Sequence, residues 1–232
     1  MENRKHTSLK DLAQALGVSI PTVSRALKDS PEISRELCTK AKALAKEMNY
    51  RPNPFAMSLR KNAPRIIGVI VPDIVTHFFA SILNGIENMA IANGYFVIIT
   101  TSHESYEHEK RNIENLVNMR VEGIIACLSQ ETTDFSHISA LKDINMPLIL
   151  FDRVCLTDQF SSVIADGAQS AQMATQHLLD NGSERVAFIG GANHLDIVKR
   201  RKHGYLEALR ENRIPIEKEL VVCRKIDYEE GK

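Results

Sequence analysis

The stretch SLKDLAQALGVSIPTVSRALKDSPEIS, residues 8–34, decides the fold of the amino-terminal part of the chain. Apolar residues recur in it at i, i+3, i+4 and i+7, the spacing of one helix face, at Leu9, Leu12, Ala13 and Leu16. Ser8 and Asp11 have the pattern of a capping box at the start of this helix. Gly17 ends it, because glycine readily adopts the left-handed conformation. The sequence therefore predicts a first helix that stops at Gly17.

A second helix is predicted directly after this turn. Ser19 is a favourable N-cap, and Pro21 falls in the first turn, where its missing N–H costs least. We expect this helix over residues 20–28 and a third one after Ser34. Two helices joined by a three-residue turn have the spacing of a helix-turn-helix, whose second helix enters the major groove of DNA. The alternative is a helical hairpin that only packs on itself.

The exposed positions of the second helix are the candidates for DNA contact. Arg25 can donate two hydrogen bonds to a guanine edge. Thr22 and Ser24 suit phosphates or base edges, and Ile20 suits a thymine methyl group. The predicted contact set on this helix is Ile20, Pro21, Thr22, Ser24, Arg25 and Lys28.

The charge of the chain is divided unevenly, although its sum is zero. Residues 1–65 contain 13 Lys or Arg and 6 Asp or Glu, whereas residues 66–232 contain 16 and 23. A basic module is therefore joined to an acidic one. Basic modules often bind nucleic acid, because neutralising phosphates releases counterions. On charge alone, a solvated basic face is an equal alternative.

The composition is that of a globular protein rather than a disordered or membrane chain. Hydrophobic residues make up 44% and charged residues 25%, and no apolar run approaches the length of a membrane span. Residues 1–10 are polar and lack the apolar core of a signal peptide. The separated cysteines have no metal-ligand spacing, which predicts reduced thiols in the cytoplasm and no metal site, at Cys38, Cys127, Cys155 and Cys223.

After Pro64 the pattern changes to short apolar runs that alternate with amphipathic helices. Strands are predicted over residues 66–71, 95–100, 123–128, 148–151, 162–165, 186–189 and 220–223, and helices over 78–93, 108–119, 135–144, 168–181 and 199–211. Continuous apolar strands between helices predict a parallel sheet covered on both faces. The expected fold class is therefore a helical headpiece joined to a doubly wound α/β body.

Binding is a better prediction than catalysis for this body. The chain contains no G-x-G-x-x-G after its first strand, no Walker motif, no G-x-S-x-G and no H-E-x-x-H. In open α/β sheets, ligands bind beyond the carboxyl ends of the strands. Phe78 and Phe79 lie near such an end and suit stacking on a ring. Asp152 and Arg153 follow another strand, as either cleft contacts or a solvated loop.

Three stretches together carry a family resemblance. SLKDLAQALGVSIPTVSRALKDSPEIS, KEMNYRPNPFAMSLRKN and the strand IIGVIVPD stand in the order and spacing found in the LacI/GalR family of bacterial transcription regulators. The resemblance covers nearly the whole chain. It implies a two-lobed, periplasmic-binding-protein-like body that closes on a small-molecule effector, and a dimer that binds operator DNA.

The resemblance also implies a hinge at about residues 52–62. In that family the hinge forms a helix when two subunits meet on operator DNA. Leu59 matches the position that wedges between base pairs in the minor groove, and Ala56 matches one close to the groove floor. We also assign Thr7, Ser19 and Asn53 to the DNA surface. Many family members have a hydrogen-bonding or small residue at the position of Pro21. At this position we therefore expect bases to be read through DNA shape or apolar contact.

The resemblance adds ligand-binding residues to the body. The string FDR, which contains Asp152 and Arg153, recurs in the family after this strand. Arg201 matches the arginine of an R-x-x-G-[FY] pattern that often holds ligand. Leu195 and Ile197 are apolar where some relatives have polar ligand contacts, so no single relative's ligand is transferred. A sugar or nucleobase-like effector, and no cofactor, is expected.

These inferences predict three regions. Residues 1–62 form the DNA-binding domain with its hinge, residues 63–164 the first lobe, and residues 165–232 part of a second lobe. By the resemblance a complete body needs roughly a hundred more residues, so we expect a truncated chain.

The predicted function is a sequence-specific, effector-controlled regulator, usually a repressor, that acts as a cytoplasmic homodimer without enzymatic activity. The alternative is a sugar-binding or sugar-processing α/β protein with a basic helical domain.

Overall fold

The computed structural model describes residues 7–50 and 65–224. The chain divides into two compact units, Met1–Asn62 and Ala63–Lys232. Among residues 7–50 and 65–224, none of the helices combines the length and the hydropathy that a membrane span requires.

In the first unit, residues 7–50 form three helices, α1 (Leu9–Leu16), α2 (Ile20–Ala26) and α3 (Arg35–Glu47). Each begins at a serine whose hydroxyl accepts a backbone N–H, as the predicted caps require. The predicted capping box is present, and Gly17 ends α1 in the left-handed conformation. Helix α2 ends two residues earlier than predicted. The helices share a small core around Leu12, Ala13, Val23, Ala26, Cys38 and Ala41.

The second unit begins with a parallel sheet. Its strands are β1 (Ile66–Val71), β2 (Phe96–Thr101), β3 (Gly123–Ala126), β4 (Leu148–Phe151) and β5 (Ser161–Val163), in the order β2-β1-β3-β4-β5. The connecting helices are α4 (His77–Ala92), α5 (Tyr106–Asn118) and α6 (Ser136–Asp143). Separate apolar clusters lie on the sheet, one packed by α5 and α6 residues and the other by α4 residues. This is the doubly wound arrangement that the alternating pattern predicts.

Beyond β5 the chain forms α7 (Gly167–Asp180), β6 (Phe188–Gly190), α8 (Asp196–Glu211) and β7 (Val221–Cys223). Strands β6 and β7 pair in parallel as a separate two-stranded sheet in the described residues. Helices α7 and α8 pack against each other around Gly204. Helix α8 begins three residues earlier than predicted, so His194 and Leu195 lie at its amino terminus.

Candidate functional sites

The second helix of the first unit has one buried and one open face. Val23 and Ala26 are fully buried and fix the helix on the core. On the other side Ile20 is 42% exposed, Pro21, Arg25 and Lys28 are exposed, and Thr22 and Ser24 are half-buried. Val23 and Ala26 lie about one helical turn apart, so they share the face of α2 that packs on the core and leave the other face open. An open polar and basic face of this size can lie against a polyanion.

Thr7 and Ser19, two of the predicted DNA-contact residues, also form hydrogen bonds that stabilise the helices. The Ser19 hydroxyl accepts the N–H of Thr22 at 3.3 Å and lies 2.8 Å from the Thr22 hydroxyl. The Thr7 hydroxyl donates to the carbonyl of Met48 at 2.8 Å, which ties the start of α1 to the end of α3. Asn53, Ala56 and Leu59 lie outside the described residues.

Arg25 has a partner that sequence reasoning missed. Its Nη1 donates to a carboxylate oxygen of Glu32 at 2.9 Å, and both side chains are more than half exposed. Glu32 lies on the loop between α2 and α3. The two residues are seven positions apart, and the helix of Arg25 ends before Glu32, so the i,i+3 and i,i+4 spacings of ion pairs within one helix do not point to this pair.

In the body, the two aromatic residues predicted to bind ligand, Phe78 and Phe79, differ in their exposure to solvent. Phe78 is 50% exposed near the carboxyl end of β1. Phe79 is 6% exposed and packs in the core, with its ring centroid 6.4 Å from that of Phe151. Helix α4 begins one residue earlier than expected, and Phe79 belongs to the apolar cluster that packs this helix on the sheet. Of the two rings, Phe78 is the one open to a ligand.

Asp152 and Arg153 follow β4, and the structure brings Arg201 near them. Burial raises the pKa of the Asp152 carboxyl, while the nearby positive charges of Arg153 and Arg201 act in the opposite direction. Asp152 also has a left-handed backbone, with φ of 58°. Arg201 runs past the start of α7, where its Cγ lies 3.3 Å from the place that a Cβ on Gly167 would take. A half-buried carboxylate between arginines is suited to binding a polar ligand.

Arg153 is held from the opposite side by Glu104. Two of its nitrogens donate to the two Glu104 oxygens at 2.6 and 2.9 Å, and one also donates to the Leu128 carbonyl at 3.2 Å. Burial lowers the pKa of this guanidinium, but the hydrogen bond to Glu104 and the negative groups around it together outweigh burial and raise the pKa. Glu104 also accepts the N–H of Gln130 at 2.7 Å. Arg153 is therefore a fixed positive group rather than part of a solvated loop.

A cavity opens beside Arg153, where the first lobe meets the start of α8. Its volume is about 260 Å³, and apolar side chains and charged side chains of both signs line it. His194 bridges the two parts, since its Nε2 lies 2.8 Å from the Gln130 carbonyl oxygen. The lining includes Leu128, Phe135, Arg153, Cys155, Leu156, His194, Lys199 and Arg200. Asp152, Phe78 and Arg201 are not among the lining residues.

A buried polar cluster supports the loop that forms one wall of this cavity. The Glu109 carboxylate, 1% exposed, accepts the Ser129 N–H at 2.5 Å and the Thr132 hydroxyl at 2.9 Å, and lies 2.8 Å from His137 Nε2. These partners are 20 to 28 residues away in sequence. Sequence reasoning assigned no role to Glu109, because its place on α5 is that of an ordinary charged residue.

Cys127 and Cys155, the two buried cysteines of the body, are thiols with little nucleophilic character. Burial raises the pKa of Cys127 to about 12 and that of Cys155 to about 12. In residues 7–50 and 65–224, no three His, Cys, Asp or Glu side chains are placed to hold a metal ion.

Both parts of the chain match known families. Residues 8–53 match the family described as bacterial regulatory proteins, lacI family. Residues 65–232 match periplasmic binding proteins and sugar binding domain of LacI family.

Curated relatives and solved structures extend these matches. Catabolite control protein A of Priestia megaterium is 31% identical over 231 residues, which are 97% of this chain and 68% of that protein. The ribose operon repressor of Bacillus subtilis is 32% identical over 204 residues, which are 88% of this chain and 60% of that protein. The lac repressor dimer bound to operator and the anti-inducer ONPF matches with a TM-score of 0.74 and 26% identity, over 97% of this chain and 66% of that one. The chain thus spans about three fifths to two thirds of the length of such relatives.

Proposed function

Because this chain belongs to the LacI family of bacterial regulatory proteins, we propose that it binds operator DNA in a sequence-specific manner and regulates transcription, as a repressor under the control of a small-molecule effector. The observation that carries the proposal is the open face of α2. Its buried anchors Val23 and Ala26 fix the helix, while the side chains of Thr22, Ser24 and Arg25 remain on the surface of the basic unit.

The proposal assigns DNA contact to two groups of residues. The first is on the helix-turn-helix, where base edges are read by α2 and phosphates are bound by its flanks: Thr7, Ser19, Ile20, Pro21, Thr22, Ser24, Arg25 and Lys28. The second is the hinge, with Asn53, Ala56 and Leu59, where Leu59 is proposed as the minor-groove wedge. The family resemblance supports the second group.

We propose that the effector, a sugar or a nucleobase-like compound, binds where the two lobes of the body meet. Phe78 offers a ring face, and Asp152, Arg153 and Arg201 offer charged groups that fix orientation. An effector that binds one arrangement of the lobes better than another shifts the population toward it, and so alters the placement of the DNA-binding units in a dimer. No catalytic role is assigned to these residues, since the named relatives are transcription regulators.

A homodimer is part of the proposal. Helix α4 and the edge strand β2 pack on each other and expose large apolar side chains, at Met89, Ile91, Phe96 and Ile99. Exposed apolar clusters of this kind mark interaction surfaces. A second copy bound there would present two α2 helices to a palindromic operator. Such a regulator acts in the cytoplasm, where bacterial DNA lies.

Selection of bound sequences from a random pool of duplex DNA tests this proposal. We expect enrichment of a palindromic site, with binding to that site far tighter than to a scrambled duplex at two salt concentrations. Recovery of no enriched sequence, together with equal binding to all duplexes, would contradict it. A thermal-shift screen with sugars and nucleobases then identifies the effector, because a ligand raises the unfolding midpoint of the state it binds.

Arg25→Ala tests the assignment of base reading. Loss of two hydrogen bonds to one guanine should weaken operator binding by about 1–3 kcal/mol and relax base preference at one position of each half-site. Lys46→Ala removes an exposed cation from α3 and serves as the control. If Arg25→Ala weakens binding to operator and scrambled duplexes equally, Arg25 is a phosphate contact instead.

A further inference from the structure

The ion pair between Arg25 and Glu32 joins the proposed base-reading residue to an acidic residue outside its own helix. Arg25 Nη1 donates to Glu32 Oε2 at 2.9 Å, and the exposed fractions of the two side chains are 60% and 67%. A negative group at this place lies on the same unit that must approach a polyanion. It therefore has an electrostatic cost on every DNA sequence.

The loop that carries Glu32 is well anchored, so the pair does not depend on a mobile backbone. Pro31 fixes the backbone before it, and Ile33 after it packs against Ala26, Cys38 and Ala41. The Ser30 N–H donates to the Arg25 carbonyl at 3.1 Å, and the Ile33 N–H donates to the Ser30 carbonyl at 3.0 Å. These bonds fold the loop back onto the last turn of α2 and hold the Glu32 carboxylate within reach of Arg25.

The geometry leaves Arg25 able to serve two partners at once. A guanidinium has five N–H donors, and Glu32 engages one of them. Two of the others suffice for the O6 and N7 atoms of a guanine. On a sequence without that guanine, turning the Arg25 guanidinium from the base edge toward a phosphate breaks its bond with Glu32. The carboxylate then remains unpaired and close to the negative backbone.

We propose that Glu32 is a specificity-determining residue of the DNA interface. It positions the Arg25 guanidinium for a base edge and keeps it from binding phosphates on other sequences. This inference rests on the proposed DNA-binding function. It assigns Glu32 an effect on the ratio of operator to nonspecific affinity rather than on operator affinity alone.

Glu32→Gln tests the inference, because glutamine keeps the shape and removes the charge. The measurement is the affinity of the chain for its selected operator and for a scrambled duplex of equal length, across a series of salt concentrations. An exposed ion pair contributes about 0.2–1 kcal/mol, so we expect the ratio of the two affinities to fall about one-and-a-half- to fivefold. The salt dependence of scrambled-duplex binding should steepen by about one unit, since Arg25 then neutralises a phosphate.

Glu36→Gln is the matched control. It removes the same charge from an exposed carboxylate of the same unit, which is paired with Lys40 at 2.8 Å on α3. We expect it to change both affinities by the same factor and to leave their ratio unchanged. The double variant Arg25→Ala with Glu32→Gln should have the ratio of Arg25→Ala alone. An equal change of ratio in Glu32→Gln and Glu36→Gln, or a further drop in the double variant, would overturn the inference.

The failure of this inference is distinguishable from that of the proposed function. If the unsubstituted chain enriches no sequence from a random pool, both fail. If it enriches an operator and Glu32→Gln leaves the affinity ratio unchanged, DNA binding stands and Glu32 is an ordinary surface charge.

Discussion

Asp152 lies where the folded structure disfavours the ionised form of its carboxyl group. Burial raises the pKa of its carboxyl, even though Arg153 and Arg201 stabilise the ionised form. Its φ of 58° is one that asparagine adopts as readily as aspartate. A carboxylate retained at such a position fits a role in binding rather than in stability, since strained and desolvated groups are typical of functional sites.

Asp152→Asn should therefore stabilise the protein at neutral pH. A pKa that is higher in the folded than in the unfolded state means that the folded state favours the protonated carboxyl. The contribution to stability is then greatest in acid and is lost as the pH rises through the raised pKa. Asparagine does not ionise, so the gain in unfolding temperature of Asp152→Asn should grow with pH and vanish below about pH 4.

Thermal unfolding across a pH series measures this difference. Asp158→Asn, at an exposed position of the following loop, is the control and should shift the midpoint little at any pH. A gain that is equal at all pH values would mean that backbone preference, and not charge, favours asparagine at position 152.

At the scale of elements, the pairing of α7 with α8 sets the position of Arg201. A Cβ on Gly204 would lie 1.9 Å from the Ala168 carbonyl oxygen and 3.0 Å from the Gln172 nitrogen. Both neighbours are backbone atoms of α7, so neither moves without shifting the helix. The glycine in the predicted R-x-x-G-[FY] pattern thus has a packing reason that holds independently of the ligand.

Gly204→Ala should separate the two helices and destabilise the second lobe. Overpacking of this kind costs about 1–3 kcal/mol, and hydrogen exchange of α7 and α8 amides should quicken accordingly. Gly85→Ala is the control, because a Cβ at Gly85 on α4 meets no atom within 4 Å. It should raise stability by up to about 1 kcal/mol through helix propensity. Unchanged exchange in Gly204→Ala would show that α8 moves away freely.

At the scale of the whole molecule, the exposed apolar surface of α4 and β2 is the surface that the proposed homodimer would cover. Met89 and Phe96 are 67% and 65% exposed. Strand β2 is also the edge of the parallel sheet, with β1 as its described neighbour. Covering these side chains removes apolar area from water, which favours association.

Met89→Lys should weaken self-association, because a charge would have to be desolvated in the proposed interface. Sedimentation over a concentration series should show a shift of the average mass toward that of the 26.0 kDa chain. Met173→Lys places the same charge on α7, at a methionine that is 65% exposed, and should leave the distribution unchanged. A shift caused by Met173→Lys but not by Met89→Lys would locate the interface elsewhere.

The sequence by itself determined the features that depend on neighbours in the chain. The serine caps and Gly17 set the starts of α1, α2 and α3 and the end of α1, because a helix terminus is satisfied by residues within one turn. The apolar runs indicated where the strands lie, because such a run is read from neighbouring residues in the chain. The predictions that were wrong at this level concern the ends of helices and strands. At the start of α8, for example, no side chain caps the helix, and no local signal marks the boundary.

Only the tertiary structure decided which side chains meet. Glu109 lies beside His137, Arg153 beside Glu104, and Phe79 in the core rather than on the surface. Each contact joins residues that lie far apart in the sequence, in different parts of the fold. Contacts between residues so far apart in sequence depend on how the helices pack across the sheet. That packing also decides which of two like side chains is buried in the core and which is exposed to solvent.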